Sequence, residues 1–314
     1  MTTTDPPFIP PLAADFEHLA DFDLGFGFGT PDFDLAGMRA AVSAAMPEPP
    51  ASDFVRADRV VLDADAGVAI DTYTPTAPGP HPALVWFHGG GYVIGSAALD
   101  SVRMQRWAED LGCFVASVDY RLAPDHRYPA AHDDAVRALE WVLAAAADHA
   151  IDAGRIVVGG ASAGAGLAAG LALAARDRGI ALAGQLLFYP MLDDRQQTAS
   201  STWEAPIWSQ TSNEFGWRSY LGTELGDDVP AYAAPARAER LDGLPPTLVL
   251  VGAADRFFDE DVTYATRLIH AGVPTDVQIY AGAPHGFDLV APESTTSLAA
   301  VGEAERWLRD LFAG

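Results

Sequence analysis

Lysine is absent from this 314-residue chain, and arginine supplies all 19 of its basic side chains. Aspartate and glutamate number 43, so the formal net charge is −24. Nucleic acids and anionic membrane surfaces are bound by clustered basic charge. The charge balance therefore argues against both as partners.

Cysteine is almost absent as well, since Cys113 is the only one. A single thiol excludes an internal disulfide and the zinc motifs that are built on cysteine pairs, and the apolar segment around Cys113 predicts a buried core residue. The longest run of small and apolar residues, 161–175, is too short for a membrane span. The first residues have prolines and an Asp where an export signal would need a basic and then an apolar region. We therefore expect a cytoplasmic protein without stable membrane insertion.

What the chain does have is a series of short apolar segments that alternate with helical patterns. Strands that are buried on both faces of a sheet have this mostly apolar composition. The predicted strands are 83–88, 113–120, 155–160, 185–190, 247–252 and 275–282, and the predicted helices are 104–111, 129–147, 163–178, 259–271 and 294–312. An additional pair of alternating runs within 59–74 predicts a β-hairpin. The pattern indicates an α/β fold with a mostly parallel sheet, which binds ligands at the carboxyl ends of its strands.

Two regions fall outside this alternation. Residues 1–50 contain one helical pattern and a segment rich in Phe and Gly, and residues 191–240 carry several Trp, Phe and Pro side chains. We interpret the first as an N-terminal arm. The second is an insertion within the α/β domain at 51–314, packed over the carboxyl edge of the sheet.

The strongest motif is Gly160-Ala161-Ser162-Ala163-Gly164, which lies between a predicted strand and an Ala-rich helical segment. This is the G-x-S-x-G elbow in its required strand–turn–helix context. Glycine fits at both ends because the flanking backbones approach too closely for a Cβ atom. We predict that Ser162 is a nucleophile at a helix N-terminus, where backbone N–H groups stabilise negative charge.

Three consecutive glycines follow another predicted strand, in His88-Gly89-Gly90-Gly91. Their bare N–H groups are the donors that an oxyanion requires. The alternative is a phosphate-binding loop, but a Walker motif needs a lysine, and the spacing near Ser162 does not fit a dinucleotide fingerprint. We expect His88 itself to be structural.

A serine nucleophile needs a base, and the base needs an acid that holds its tautomer. His285 follows the last predicted strand, and Asp255 follows the preceding one at the same edge of the sheet. The order Ser162, Asp255, His285 is that of the α/β-hydrolases. The alternative acids, which look like the polar first turn of the next helix, are Asp259, Glu260 and Asp261.

With these motifs the chain resembles the hormone-sensitive-lipase-like carboxylesterase family of α/β-hydrolases. The matching segments are HGGGY at 88–92, YRLAP at 120–124, YPAA at 128–131, GASAG at 160–164, YP at 189–190 and HGF at 285–287. The similarity extends from about residue 60 to the carboxyl terminus. The chain departs from the family pattern at Ala161, where members usually carry Asp or Thr, and at Arg256, where they carry proline.

The resemblance implies a cap formed from the arm and the insertion, no cofactor and no metal, and hydrolysis of short- to medium-chain carboxylic esters through an acyl-enzyme. It also implies that oxyanion N–H groups come from Gly90, Gly91 and Ala163, with Gly89 as an alternative. Family members are often dimers, which makes a homodimer a candidate state. We expect an apolar substrate pocket lined by Tyr92, Tyr189, Trp208 and Phe215.

Other functions stay open at this point. The same triad and glycine loop serve amide and formamide hydrolases of the arylformamidase or deacetylase type. A non-catalytic small-molecule receptor of the same fold is a third reading, although such receptors often lose a triad member. Because the net charge of −24 would repel anionic esters, we expect the substrate to be neutral or cationic.

Overall fold

The computed structural model describes residues 10–25, 27–30, 32–222 and 228–313. Its eight strands form one sheet in the order β1-β2-β4-β3-β5-β6-β7-β8. The strands are β1 (Val55–Asp63), β2 (Val68–Pro75), β3 (His81–Phe87), β4 (Phe114–Asp119), β5 (Ile151–Ala161), β6 (Gly184–Phe188), β7 (Thr247–Gly252) and β8 (Thr275–Tyr280). β2 runs antiparallel to both β1 and β4, and the remaining pairs are parallel. The predicted α/β fold and the hairpin are confirmed.

Helices cover both faces of the sheet. They are α1 (Leu35–Ala44), α2 (Ser101–Leu111), α3 (Ala130–Ala144), α4 (Ala163–Asp177), α5 (Gln210–Leu221), α6 (Phe258–His270), α7 (Phe287–Val290) and α8 (Thr295–Ala313). Alternate residues of β3 enter two different cores: Val85 packs in the core that contains α3, α4 and α6, whereas Trp86 packs in the core that contains α2 and α8. A strand whose side chains point alternately to two covered faces must be apolar throughout.

The last strand differs from its prediction. We expected residues 275–282 to be buried on both faces, but every residue of β8 is half-buried or exposed, and Ile279 is 50% exposed. The physical reason is that β8 pairs only with β7 and lies at the edge of the sheet.

The described parts of the arm and the insertion contact each other. Asp23 and Ile207 form a β-bridge, and the rings of Phe28 and Phe215 stack with centroids 4.9 Å apart. Arg39 on α1 donates to the carbonyl oxygens of Val93 (2.8 Å) and Ala123 (2.6 Å), which ties the arm to the α/β domain. Residues 1–9 of the arm and 223–227 of the insertion lie outside the described residues. Among the described helices, none is long and apolar enough to cross a membrane.

Candidate active site

Ser162, His285 and Asp255 form a continuous hydrogen-bonded chain at the carboxyl edge of the sheet. The distance from Ser162 Oγ to His285 Nε2 is 2.9 Å, and that from His285 Nδ1 to Asp255 Oδ2 is 2.8 Å. All three side chains are buried, Asp255 completely. Such an arrangement can transfer a proton from the serine hydroxyl to the imidazole, while the carboxylate stabilises the imidazolium.

The turn that carries Ser162 is strained. Its backbone angles are φ 55° and ψ −119°, a conformation that side-chain-bearing residues rarely adopt. A Cβ atom on Gly160 would lie 2.4 Å from the carbonyl carbon of Gly164, and one on Gly164 would lie 2.0 Å from the carbonyl oxygen of Phe87. The close approach predicted for these two glycines is therefore confirmed.

The glycine loop turns sharply beside the serine. Gly90 has φ 115°, and its carbonyl oxygen accepts hydrogen bonds from the N–H groups of Val93 and Ile94. No backbone carbonyl among residues 10–25, 27–30, 32–222 and 228–313 accepts a hydrogen bond from the N–H of Gly90, Gly91 or Ala163. These three N–H groups therefore have no backbone acceptor among the described residues, and of the three only Gly90 borders the cavity beside the triad.

His88 is fully buried and supports the glycine loop. Its ring stacks on Tyr120 at a centroid distance of 4.2 Å, and its Nδ1 lies 2.7 Å from the carbonyl oxygen of Gly89. Burial lowers the pKa of His88 and keeps the imidazole neutral. These contacts are those of a structural residue, as we expected for His88.

A cavity of about 1050 Å³ opens beside the triad. Ser162, His285, Tyr189 and Trp208 line it, together with Gly89 and Gly90 of the loop. It is bordered mainly by apolar side chains, as small-molecule sites usually are.

Five of the residues predicted at the site are not among those that line the cavity, namely Asp255, Gly91, Ala163, Tyr92 and Phe215. Tyr92 has φ 65°, and its ring stacks on that of Tyr220 with centroids 3.8 Å apart. Phe215 packs on Phe28 of the arm instead. These two pocket predictions are therefore corrected. Gly91 is covered by the ring of Trp208, so that a Cβ atom there would lie 2.3 Å from it.

The alternative acids do not reach His285. Asp259 accepts a hydrogen bond from the N–H of Ser200, and Glu260 accepts from the N–H groups of Leu192 and Asp193. Burial raises the pKa of Glu260 well above its usual value. Elsewhere in the described chain, no group of three or more His, Cys, Asp and Glu side chains is arranged to hold a metal ion.

The comparisons with known proteins agree with this geometry. A family model described as the alpha/beta hydrolase fold matches residues 84–289. Esterase LipI of Mycobacterium tuberculosis (strain ATCC 25618 / H37Rv) is 36% identical over 250 residues, which cover 77% of this chain and 78% of LipI. The chain belongs to the hormone-sensitive-lipase-like carboxylesterase family of α/β-hydrolases.

Solved structures give the same result. A bacterial heroin esterase superimposes with a TM-score of 0.88 at 36% identity, over 97% of this chain and 99% of that protein. Esterase LipW from Mycobacterium marinum superimposes with a TM-score of 0.80 at 36% identity, over 98% and 99% of the two chains. Membership in this carboxylesterase family makes the chain an ester hydrolase by class.

Where the chain departs from the family pattern, Arg256 replaces proline directly after Asp255. The Arg256 side chain is buried, and its Nη2 donates to the carbonyl oxygens of Ser201 (2.6 Å) and Trp203 (3.0 Å) in the insertion. Burial lowers the pKa of this guanidinium. The substitution therefore links the loop of the acid to the insertion. At the other departure, Ala161 lines the cavity.

Sequence reasoning missed a buried network behind His285. Asp288, on α7, accepts a hydrogen bond from the Tyr189 hydroxyl at 2.5 Å and forms an ion pair with Arg103 at 2.5 Å. Trp86 Nε1 donates to Asp100 at 2.8 Å in the same region. We call Asp288, Tyr189 and Arg103 the α7 anchor, because they fix the helix that follows the histidine loop.

Within the α7 anchor, electrostatics favour a charged Arg103 and a protonated Tyr189. Burial alone would lower the pKa of Arg103, but the carboxylates of Asp288 and Asp100 raise it. Burial, and then Asp288, raise the pKa of Tyr189 well above its usual value, so the phenol keeps its proton and donates it to Asp288. The only sequence signal was the position of Asp288 just after HGF, which by itself does not distinguish an anchor from an exposed acid.

Proposed function

We propose that this chain hydrolyses short- to medium-chain carboxylic esters through a covalent acyl-enzyme formed on Ser162. The observation that carries the proposal is the hydrogen-bonded chain from Ser162 Oγ through His285 to Asp255, with distances of 2.9 and 2.8 Å. Its position at the end of a cavity large enough for a small-molecule ester supports the same function.

In the first half of the reaction, Ser162 Oγ attacks the ester carbonyl while His285 Nε2 takes its proton. The carbonyl oxygen becomes an oxyanion, which accepts hydrogen bonds from the N–H groups of Gly90, Gly91 and Ala163, with Gly89 as the alternative to Gly91. Donors that are in place before the charge develops need no reorganisation during the reaction. His285 then protonates the departing alcohol.

In the second half, His285 takes a proton from a water molecule that attacks the acyl carbonyl, and it returns this proton to Ser162 as the acid product leaves. Asp255 remains ionised and holds the imidazole through Nδ1. Its second oxygen accepts a hydrogen bond from the N–H of Phe257 at 2.9 Å, which fixes the carboxylate.

We infer that the arm and the insertion together act as a cap on this site, with residues 1–50 and 191–240 as its two parts. The β-bridge from Asp23 to Ile207 and the stacking of Phe28 on Phe215 support this assignment. Leu24 of the arm and Trp208 of the insertion both border the cavity. A cap of this kind would exclude water from the acyl pocket.

The charges around the cavity support a neutral or cationic substrate. Five acids and two arginines line it, which gives an acidic excess when all are ionised. They are Asp100, Asp110, Asp288, Glu293, Glu305, Arg103 and Arg106. A carboxylate on the substrate would meet this excess on approach.

The decisive experiment compares Ser162→Ala with Ser117→Ala on p-nitrophenyl acetate and butyrate. Ser117 is also buried, and its hydroxyl donates to the Ala97 carbonyl at 3.3 Å, away from the triad. We expect Ser162→Ala to lose activity by on the order of 10⁴-fold and to melt like the wild type, whereas Ser117→Ala stays active. Substantial activity in Ser162→Ala would refute the nucleophile.

Two further measurements distinguish ester hydrolysis from the alternative functions. A serine-directed phosphonate should label the wild type and leave Ser162→Ala unlabelled, and an unlabelled wild type would favour the receptor reading. Hydrolysis of an anilide as fast as its matching ester would favour the amide hydrolase.

A further inference from the structure

The cavity continues well beyond the triad, into a cleft between α2 and α8. The α2 residues that line it recur every third or fourth position, as do those of α8, so each helix contributes one face. We call this cleft the outer groove. Its lining residues are Val102, Arg103, Arg106 and Asp110 on α2, and Leu298, Val301, Gly302 and Glu305 on α8.

The outer groove is long relative to a short ester. Val102 and Asp110 are eight residues apart, which corresponds to about 12 Å along an α-helix. The whole cavity, at about 1050 Å³, lies at the upper end of the range of pockets that hold drug-sized ligands, about 300–1,000 Å³. An acetate or butyrate ester bound at Ser162 would leave most of this volume unfilled.

Four of the eight residues that line the outer groove are charged, but exposed apolar side chains lie among them and offer contacts to an apolar group. Val102 is 40% exposed and Leu298 is 56% exposed, and the adjacent Leu289 of α7 is 42% exposed. Exposed apolar side chains that cluster around one opening indicate a binding surface more often than isolated ones do. The ion pair between Arg106 and Glu305, at 2.5 Å, joins the two helices about midway along the groove.

The outer groove is continuous with the site of the chemistry, because the same cavity is bordered by Ser162 and His285. An ester bound at Ser162 can therefore extend into the outer groove. We propose that the outer groove is a binding subsite for a long or bulky apolar arm of the substrate, in either its acyl or its alcohol portion. This proposal rests on the proposed ester hydrolysis and specifies its substrate class.

Gly302 offers a direct way to obstruct the groove. A Cβ atom at this position would meet nothing within 4 Å, so a larger side chain would project into open space. Leucine also favours the helix more than glycine by up to about 1 kcal/mol, so Gly302→Leu should fold. The matched control is Ala299→Leu, which adds a leucine to an exposed position of the same helix that does not line the cavity.

The measurement is the ratio of kcat/KM for long-arm esters to kcat/KM for p-nitrophenyl acetate. One series lengthens the acyl arm from acetate to decanoate on p-nitrophenol, and a second lengthens the alcohol from ethyl to decyl acetate. We expect the wild type to prefer the longer arm in at least one series. Gly302→Leu should lower that ratio by at least about tenfold, and Ala299→Leu should leave it unchanged.

The series in which the ratio falls identifies the arm, acyl or alcohol, that lies in the groove. Ratios that are the same in Gly302→Leu and the wild type in both series would overturn the proposal, as would a wild type with no preference for longer arms. Failure of the proposed ester hydrolysis is distinct, because the wild type would then hydrolyse none of these esters, including the acetate.

Discussion

Asp288 provides a quantitative test of how the structure supports His285. Its carboxylate is 1% exposed and is the ion-pair partner of Arg103 and the acceptor of the Tyr189 hydroxyl. Asp288→Ala would leave the Arg103 guanidinium buried without this partner. Removing one member of a buried ion pair typically lowers the free energy of unfolding by about 3–5 kcal/mol. Asp100 also acts on Arg103 and would partly replace Asp288, so we expect the lower limit, about 3 kcal/mol.

For a chain of this size, 1 kcal/mol corresponds to roughly 2 °C in Tm, so Asp288→Ala should melt about 6 °C below the wild type. Asp288→Asn retains an acceptor for the Tyr189 hydroxyl, so its Tm should fall by about half as much as that of Asp288→Ala. Circular dichroism gives Tm for both variants. Because the ring of Tyr189 packs on His285 at 4.8 Å, we also expect kcat to fall by about tenfold in Asp288→Asn, a loss of about 1.4 kcal/mol, with little change in KM.

The double variant Arg103→Met with Asp288→Asn provides the control, since removing both charges of a buried pair is often neutral. It should recover most of the lost Tm. If Asp288→Ala melts within about 1 °C of the wild type, or if the double variant is no more stable than Asp288→Asn alone, the electrostatic reasoning fails. A loss of Tm without any change in kcat would refute the role of the α7 anchor in positioning the histidine.

Two other predictions concern the interior. Gly164→Ala would place a Cβ atom 2.0 Å from the Phe87 carbonyl oxygen, so we expect a loss of at least about 3 kcal/mol in urea unfolding, whereas Gly302→Ala should be neutral or stabilising. Asp261 is fully buried, neither of its oxygens has a hydrogen-bond partner among the described residues, and burial raises its pKa well above 3.8. Above pH 3.8 the unfolded chain loses this proton while the folded chain keeps it, so stability falls as pH rises. Thermal melts should therefore show the Tm of Asp261→Asn rising relative to that of the wild type between pH 4 and pH 8. A difference in Tm that does not change with pH would contradict the raised pKa of Asp261.

The parts of the fold that follow from local pattern were predictable from sequence. β7 has the predicted bounds, Thr247–Gly252, because a wholly buried strand must be apolar along its full length. β8 was predicted as buried because its sequence is also partly apolar, and only its place at the sheet edge exposes Ile279. Edge positions depend on strand order, which no single segment encodes.

Part of the candidate site could likewise be predicted from local sequence pattern, and part of it could not. Ser162, Asp255 and His285 could be identified because each follows its own strand, and parallel strands bring their carboxyl ends together. The ring of Tyr92 stacks on Tyr220, a contact between distant parts of the chain that no local pattern encodes. The pairing of Arg103 with Asp288 joins α2 to α7 and leaves no local pattern in the sequence.

The contacts between the arm and the rest of the chain also constrain the order of folding. Asp23 accepts a hydrogen bond from Ser212, a residue 189 positions later in the chain. At about 5–20 residues per second, the ribosome needs roughly 10–40 s to make that interval. Until then Phe28, which is 1% exposed in the folded chain, has none of its partners in the insertion. The arm is therefore synthesised before the part of the insertion that packs on it, and the contacts of Phe28 with Trp208 and Phe215 can form only after that part has been made.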